Sequence, residues 1–477
     1  MRALNEYHTC ASMRPLVVLN TVGLTSRLLP LAPRLHALAQ AGWSRPLQEV
    51  IPAVTCSAQA SILTGKLPQE HGIVGNGWLF RDTMEVRFWQ QSNRLIQAEP
   101  VYTTASMRAE KQGCAFHCAK LFWWFNQGAF VDFAVTPKPH YGADGSKAFD
   151  VQVYPNSLAF KLQQRLGPFP FPSFWGPMAG LPCTQWIANC ATGVLLKENG
   201  PPELTLVYLP HLDYDPQRVG PSHCDWKKLV GELDTACEPV LDAAQKIGAT
   251  VWVVNEYTHV QVDQPIYVNR ILRQKSYLTA RDGPFGEQLE PYASIAFAVC
   301  DHQIAHVYVH FSSPGHIPFL RDMLAQQSGI ERIYVGEERT EIGLHHDRAG
   351  DLILLAKPNA WFAYPFWLDD RRAPDYARTV DIHRKPGYDP CELFFDPKLL
   401  WPKGRGITKV LLKKLGLRTL VDVIPLDASL VKGSHGLHAV EQSEQPVFIG
   451  SGELPDAAVL SQTEIRDRIL QHFGLGN

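Results

Sequence analysis

Leu204-Thr205-Leu206-Val207-Tyr208-Leu209 runs directly into Pro210-His211-Leu212-Asp213. Two more segments share this design: Leu16-Val17-Val18-Leu19 ends at Asn20-Thr21, and Thr250-Val251-Trp252-Val253-Val254 ends at Asn255-Glu256-Tyr257. Apolarity is continuous along each run instead of alternating, which suits strands covered on both faces, as in a parallel sheet held between helices. Helix-like patterns lie between them, over 32–42 and 226–248. In an open α/β sheet, ligands bind beyond the carboxyl ends of the strands. Asn20, Asp213 and Glu256 are therefore expected to converge on one edge, although they lie far apart in the chain.

Beyond Glu256 the pattern changes. Strand-like runs at 294–299, 306–311, 330–335 and 352–355, with a helix-like stretch at 318–327, outline a small α+β lobe over 290–357. Residues 360–400 are rich in Pro, Asp and aromatics and read as a long ordered loop region. The main domain is expected over 14–477, with 1–13 as an unstructured tail. In 477 residues, 45% hydrophobic and 19% charged, there is material for a sizeable core. The 45 Lys+Arg nearly cancel the 47 Asp+Glu, which argues against a nucleic-acid partner held by bulk charge. Ten cysteines spread over this length read as reduced thiols, and no apolar run reaches membrane-spanning length, so a soluble cytoplasmic protein is expected.

The chemistry concentrates in Pro52-Ala53-Val54-Thr55-Cys56-Ser57-Ala58-Gln59-Ala60-Ser61-Ile62-Leu63-Thr64-Gly65. A short helical run closes at Gly65, a C-terminal helix signal. Thr55 falls at the helix start, where free N–H groups and the dipole favour an anion. By spacing alone it is either a capping residue or a nucleophile whose hydroxyl a metal or base activates.

Thr55-Cys56-Ser57-Ala58-Gln59-Ala60, followed by Leu63-Thr64-Gly65, Pro68 and Glu70-His71-Gly72-Ile73-Val74-Gly75-Asn76, resembles the nucleotide pyrophosphatase/phosphodiesterase branch of the alkaline phosphatase superfamily. The resemblance implies a three-layer α/β/α sandwich with a mostly parallel sheet and an inserted α+β cap. It also implies a site with divalent metals, usually zinc, with Thr55 as nucleophile and Asn76 donating to a phosphate oxygen. Asp213 and Gly220-Pro221 match the family's D-x-x-x-H-x-x-G-P segment, and Gly433-Ser434-His435-Gly436 matches its late G-x-H-G, whose His binds metal. His71 belongs to the string but reads as structural.

Departures from the pattern are concentrated in the metal ligands. Val22-Gly23 replaces Asp-Gly, Gln217 replaces a His, and Glu256-Tyr257 replaces Asp-His. Val cannot bind a metal, Gln is a weak ligand and Glu can stand in for Asp. The expected ligand set is Asp213, His435 and Glu256, with His211 and Asp215 as neighbouring donors in His-Leu-Asp-Tyr-Asp. It holds one ion, or two with a weakened second site. Asn20 and the His383-Arg384-Lys385 stretch are expected to face the substrate. Residues 407–418 form a basic amphipathic stretch that can touch an anionic membrane or substrate, or pack its apolar side on the core. The function implied is metal-dependent hydrolysis of a small phosphorylated metabolite. Two other readings stay open: a non-catalytic member that binds a phosphorylated or aromatic metabolite, and a phosphoryl transferase.

Overall fold

The computed structural model describes residues 13–143, 147–197, 200–417, 419–452 and 456–476. The first twelve residues of the expected tail lie outside them. The three apolar runs are adjacent strands. Leu16–Asn20 lies between Leu204–Tyr208 and Thr250–Val254, parallel to both. Its last residue, Asn20, stands opposite Tyr208 on one side and Val254 on the other, so the three carboxyl ends are level. Cys118–Leu121 and Phe133–Pro137 continue the parallel sheet, which nine strands complete with antiparallel neighbours at Val447–Gly450 and Val151–Tyr154. All fifteen residues of the three central strands are buried, which is why their sequences show no polar alternation.

Two groups of helices cover this sheet. Pro33–Ala41, Leu181–Leu195 and Trp226–Lys246 pack together in one, and Thr55–Thr64, Val101–Lys111 and Ile465–His472 in the other. The result is the expected α/β fold with a large, mostly parallel central sheet. Eight described cysteines are free thiols; Cys114 is disulfide-bonded, so the thiols are not all reduced as expected.

The inserted lobe has its own four-stranded antiparallel sheet, in the order Ala296–Asp301, Ile304–Val309, Leu352–Ala356, Ile330–Val335. Its apolar core draws in Ile266 and Leu272 before the expected bounds and Phe366, Trp367 and Tyr388 after them. Much of the loop region 360–400 thus packs on the lobe. The tip of its first hairpin, Asp301-His302-Gln303, reaches the carboxyl edge of the main sheet. There the Gln303 N–H donates to the His435 carbonyl at 3.0 Å.

Candidate active site

Thr55 is the first residue of the helix Thr55–Thr64, after Val54 in extended conformation. The helix is buried throughout and ends at Gly65, whose φ of 66° is the left-handed conformation that glycine adopts without steric cost. No side chain caps its N-terminus. The Thr55 hydroxyl lies 3.0 Å from the Tyr257 hydroxyl, and Tyr257 donates to Asp213 Oδ1 at 3.1 Å. The Cys56 N–H donates to Asn76 Oδ1 at 3.0 Å. Asn76 is fixed in turn by Asp301, which accepts from its backbone N–H at 2.7 Å and from Nδ2 at 3.1 Å. A residue of the inserted lobe thereby orients the family's Asn.

Asp213, His259 and His435 bring one ligand atom each within 4.8 Å of one another, all three buried. His259 Nε2 lies 3.1 Å from Asp213 Oδ1, and His435 Nε2 lies 3.9 Å from it. Burial raises the Asp213 pKa, but His259, His435 and Tyr257 together hold it below the ordinary carboxylate value. Burial pushes His435 and His302 well down, with their imidazole neighbours adding to the effect. Both are therefore neutral, the form in which an imidazole binds metal. His435 is oriented by Nδ1 donating to the Ala53 carbonyl at 2.8 Å. It is sandwiched between the Tyr257 ring at 3.6 Å and the His302 ring at 3.6 Å. The donor set, one carboxylate and two imidazoles with a fixed orientation, suits a divalent ion.

His259 is missing from the set expected on sequence. Tyr257 and His259 stand two residues apart beyond the strand Thr250–Val254, and both reach Asp213 Oδ1. Continuing the strand's two-residue alternation past Val254 is the signal that would have found it. Gln217, in place of the family's His, is tied elsewhere: Nε2 donates to the Asp213 carbonyl at 2.9 Å and Oε1 accepts from Tyr388 at 2.8 Å.

Several expected site residues are placed differently. Glu256 is outside the cluster. Its Oε1 accepts from Asn20 Nδ2 at 2.5 Å and from Gln59 Nε2 at 2.6 Å. Burial pushes its pKa up to about 8, against the opposing pull of Gln59 and Asn20. Among the described residues, Asn20 Oδ1 and Glu256 Oε2 find no hydrogen-bond partner. His211 pairs with Glu232 at 3.0 Å, and Asp215 with Arg218 at 2.8 Å. The helical turns His211–Asp213 and Tyr214–Val219 explain this, because residues two apart on a helix do not share a face. Val22 packs in the main apolar core.

Lys385 is buried, with Nζ 2.6 Å from Asp389 and 2.7 Å from Glu392. Burial pulls its pKa down, but the two carboxylates win and hold it above the usual value. Lys385 anchors its loop and does not face the substrate. His383 and Arg384 do line the cavity that opens from Thr55, as do Tyr208, Asp213, Tyr257, His302 and His435. This cavity measures about 1010 Å³. His71 bonds Ser61 at 2.9 Å and accepts the Ile73 N–H at 3.1 Å, which is a scaffold position.

A helix-start hydroxyl beside an Asp-His-His cluster, at the carboxyl edge of a mostly parallel sheet, places the protein in the alkaline phosphatase class of folds. The chain belongs to the type I phosphodiesterase/nucleotide pyrophosphatase family, whose model matches residues 16–389. His435 lies beyond that match. Among solved structures it is similar to murine ectonucleotide pyrophosphatase/phosphodiesterase 5, an inactive variant in complex with AMP. Identity there is 12% and TM-score 0.58, over 97% of this chain and 96% of that one. It is likewise similar to the phosphonoacetate hydrolase of Sinorhizobium meliloti in complex with phosphonoformate. Identity in that case is 16% and TM-score 0.59, over 96% of each chain. At these identities the likenesses show the fold. No curated protein matches the chain by sequence. Family membership makes it an enzyme of the phosphodiesterase/nucleotide pyrophosphatase kind.

Proposed function

We propose that the protein is a phosphoester hydrolase in which Thr55 is the nucleophile and a single divalent ion, zinc first among candidates, is held by Asp213, His259 and His435. The observation that carries this reading is the chain of contacts from Thr55 through the Tyr257 hydroxyl to Asp213, on the floor of a cavity large enough for substrate. Bound there, a divalent ion supplies the positive charge that neutralises phosphoryl oxygens and makes hydroxyl attack feasible at neutral pH.

The remaining work belongs to the chain. Tyr257 fixes the Thr55 hydroxyl. The Thr55 oxygen bonds to phosphorus as the bond from phosphorus to the ester oxygen breaks, and the Thr55 proton leaves on that oxygen. Water then cleaves the Thr55 ester, one of its protons returning to the Thr55 oxygen and its hydroxyl going to the phosphate. Asn76 has two Nδ2 hydrogens; Asp301 takes one, and the other is offered to a phosphoryl oxygen. Glu256, held by two neutral amides, is a positioning group here and not a ligand. His383 and Arg384 face the substrate from the cavity wall.

Among the described residues no helix is long and apolar enough to cross a membrane. Peripheral contact with an anionic membrane through 407–418 is part of this reading. It is supported by Leu415 and Leu417, 77% and 54% exposed after Lys413; Arg418 lies outside the described residues. Co-sedimentation with anionic but not neutral vesicles is the expected result.

The deciding experiment is zinc-supplemented hydrolysis of an aryl phosphomonoester and an aryl phosphodiester by wild type and Thr55→Ala. Turnover that falls at least about a thousandfold in the variant supports the nucleophile. Equal turnover by both proteins removes Thr55 from the mechanism. No turnover of either ester, with tight binding of one, favours the non-catalytic binder.

A further inference from the structure

The cavity above Thr55 is not the cavity that a phosphate alone requires. Its floor is polar, built by Thr55, Tyr208, Asp213, Tyr257, His302 and His435. Above the floor its wall turns aromatic, with Trp89, Trp124, Phe174 and Trp175. The same cavity has an aliphatic portion, to which the helix Pro402–Lys414 contributes Ile407, Val410 and Leu411 and the following segment Leu420 and Val421. One cavity thus joins the polar floor to aromatic and aliphatic lining, with Lys147, Asp381, Arg384, Lys403 and Lys413 as its other charged members. At about 1010 Å³ the volume stands at the upper end of small-molecule sites.

The helix supplies a second observation. An amphipathic helix ordinarily turns its apolar stripe onto the core. Here Ile407, Val410 and Leu411 remain 62%, 44% and 54% exposed while lining the cavity. The alternative expected on sequence, an apolar side packed on the core, is not what these three residues do. Their stripe faces a space continuous with the catalytic floor, so whatever covers it is connected to what reacts there. An aromatic wall by itself would also suit a nucleobase. The aliphatic lining of the same cavity favours a flexible chain.

We infer that the substrate is a phosphoester with a long apolar chain, its phosphate seated at Thr55 and its chain lying along the aromatic wall and under the helix Pro402–Lys414. This rests on the phosphoester reading above and names the substrate class for that site. Lys403 and Lys413, on the same helix, also line this cavity.

The test uses the full chain carrying Thr55→Ala, with zinc, so that binding is read without turnover. Dodecyl phosphate, butyl phosphate and AMP are titrated calorimetrically, the first below its micelle concentration. Each buried methylene is worth roughly a factor of four, so even partial burial of the extra eight gives dodecyl phosphate at least a hundredfold advantage over butyl phosphate. Val410→Asp, and separately Leu420→Asp, at half-exposed positions, should erase at least tenfold of that advantage and leave butyl phosphate unaffected. Equal affinity for the two alkyl phosphates, tighter binding of AMP than of dodecyl phosphate, or equal loss for both alkyl probes in the variants would overturn the inference. Tight, chain-dependent binding by a protein that hydrolyses no ester in its wild-type form would keep the inference and sink the hydrolase reading.

Discussion

On one side of Thr55, Asp213 Oδ1 faces His259 and the Tyr257 hydroxyl, with His435 nearby. On the other, Glu256 Oε1 takes hydrogen bonds from the Asn20 and Gln59 amides. Both carboxylates follow the two central strands that flank Leu16–Asn20, both are buried, and their partners differ in kind. Imidazoles can share a carboxylate with a cation because they bind it too. Neutral amides only satisfy hydrogen-bonding capacity, leaving the carboxyl group to be stabilised by taking up a proton. On the one-ion reading proposed above, one half of the family's metal site is rebuilt around His259, and the other is filled with amides and an apolar side chain at Val22.

The comparison can be broken most directly at Asp213. Asp213→Ala should abolish stoichiometric zinc binding and lower turnover at least about a thousandfold, as read by metal analysis and aryl ester hydrolysis. If zinc stayed bound, the ion would have to reside elsewhere.

Val22→Asp places the family's residue back in the amide-lined half. Because Val22 is fully buried in the main core, the change should cost about 3 kcal/mol or more in urea unfolding. Zinc should not restore the loss. Recovery on adding zinc, with a second equivalent bound, would mean that the second site is latent and not lost.

His259→Ala should weaken zinc binding about a hundredfold by competition with a chelator, since it removes one of the three proposed ligands. Gln217→Ala offers the contrast and should leave affinity within about threefold.

Acid tests the scaffold histidines. Burial pushes His71 down to about 3 and His306 down to about 4. Both accept a backbone N–H through Nδ1, which requires the neutral ring. Their folded pKa values lie below the unfolded value near 6.5, so the unfolded chain takes up protons first. Stability is whole above about pH 6.5 and falls as pH drops toward 4. Two such groups cost about 2 kcal/mol between pH 7 and 5.5. Denaturant midpoints with and without zinc should show the same loss attributable to these residues.

The smallest effect is expected at Glu256→Gln. A glutamine keeps an acceptor for Asn20 and Gln59, so zinc affinity should change by less than about threefold. A tenfold loss would falsify its exclusion from the ligand set.

Much of this architecture was legible because burial on both faces leaves a direct mark on composition. Runs such as Leu16–Asn20 and Leu204–Tyr208 announce a parallel sheet, and polar residues at their ends announce its functional edge. The Thr55 to Asn76 string was likewise local, since the helix start and the returning Asn are only 21 residues apart. The ligand set was harder. His211 and Asp215 look adjacent to Asp213 in the chain, but helical turns point them at Glu232 and Arg218. Lys385 looks like a phosphate-binding cation until Asp389 and Glu392 enclose it.

By itself, then, the sequence determined the sheet, the helix that presents Thr55, and the family, because each depends on periodicity or on residues close together in the chain. Only the tertiary structure decided that His259 completes the cluster around Asp213, that Asp301 crosses from the inserted lobe to hold Asn76, and that Glu256 rests among amides. These are contacts between segments 40 to more than 200 residues apart; the two-residue alternation that puts His259 beside Tyr257 hints at one of them, and local pattern does not name the partners. Their partners are chosen by packing, where each buried polar group must find whichever complementary atom the fold brings within reach.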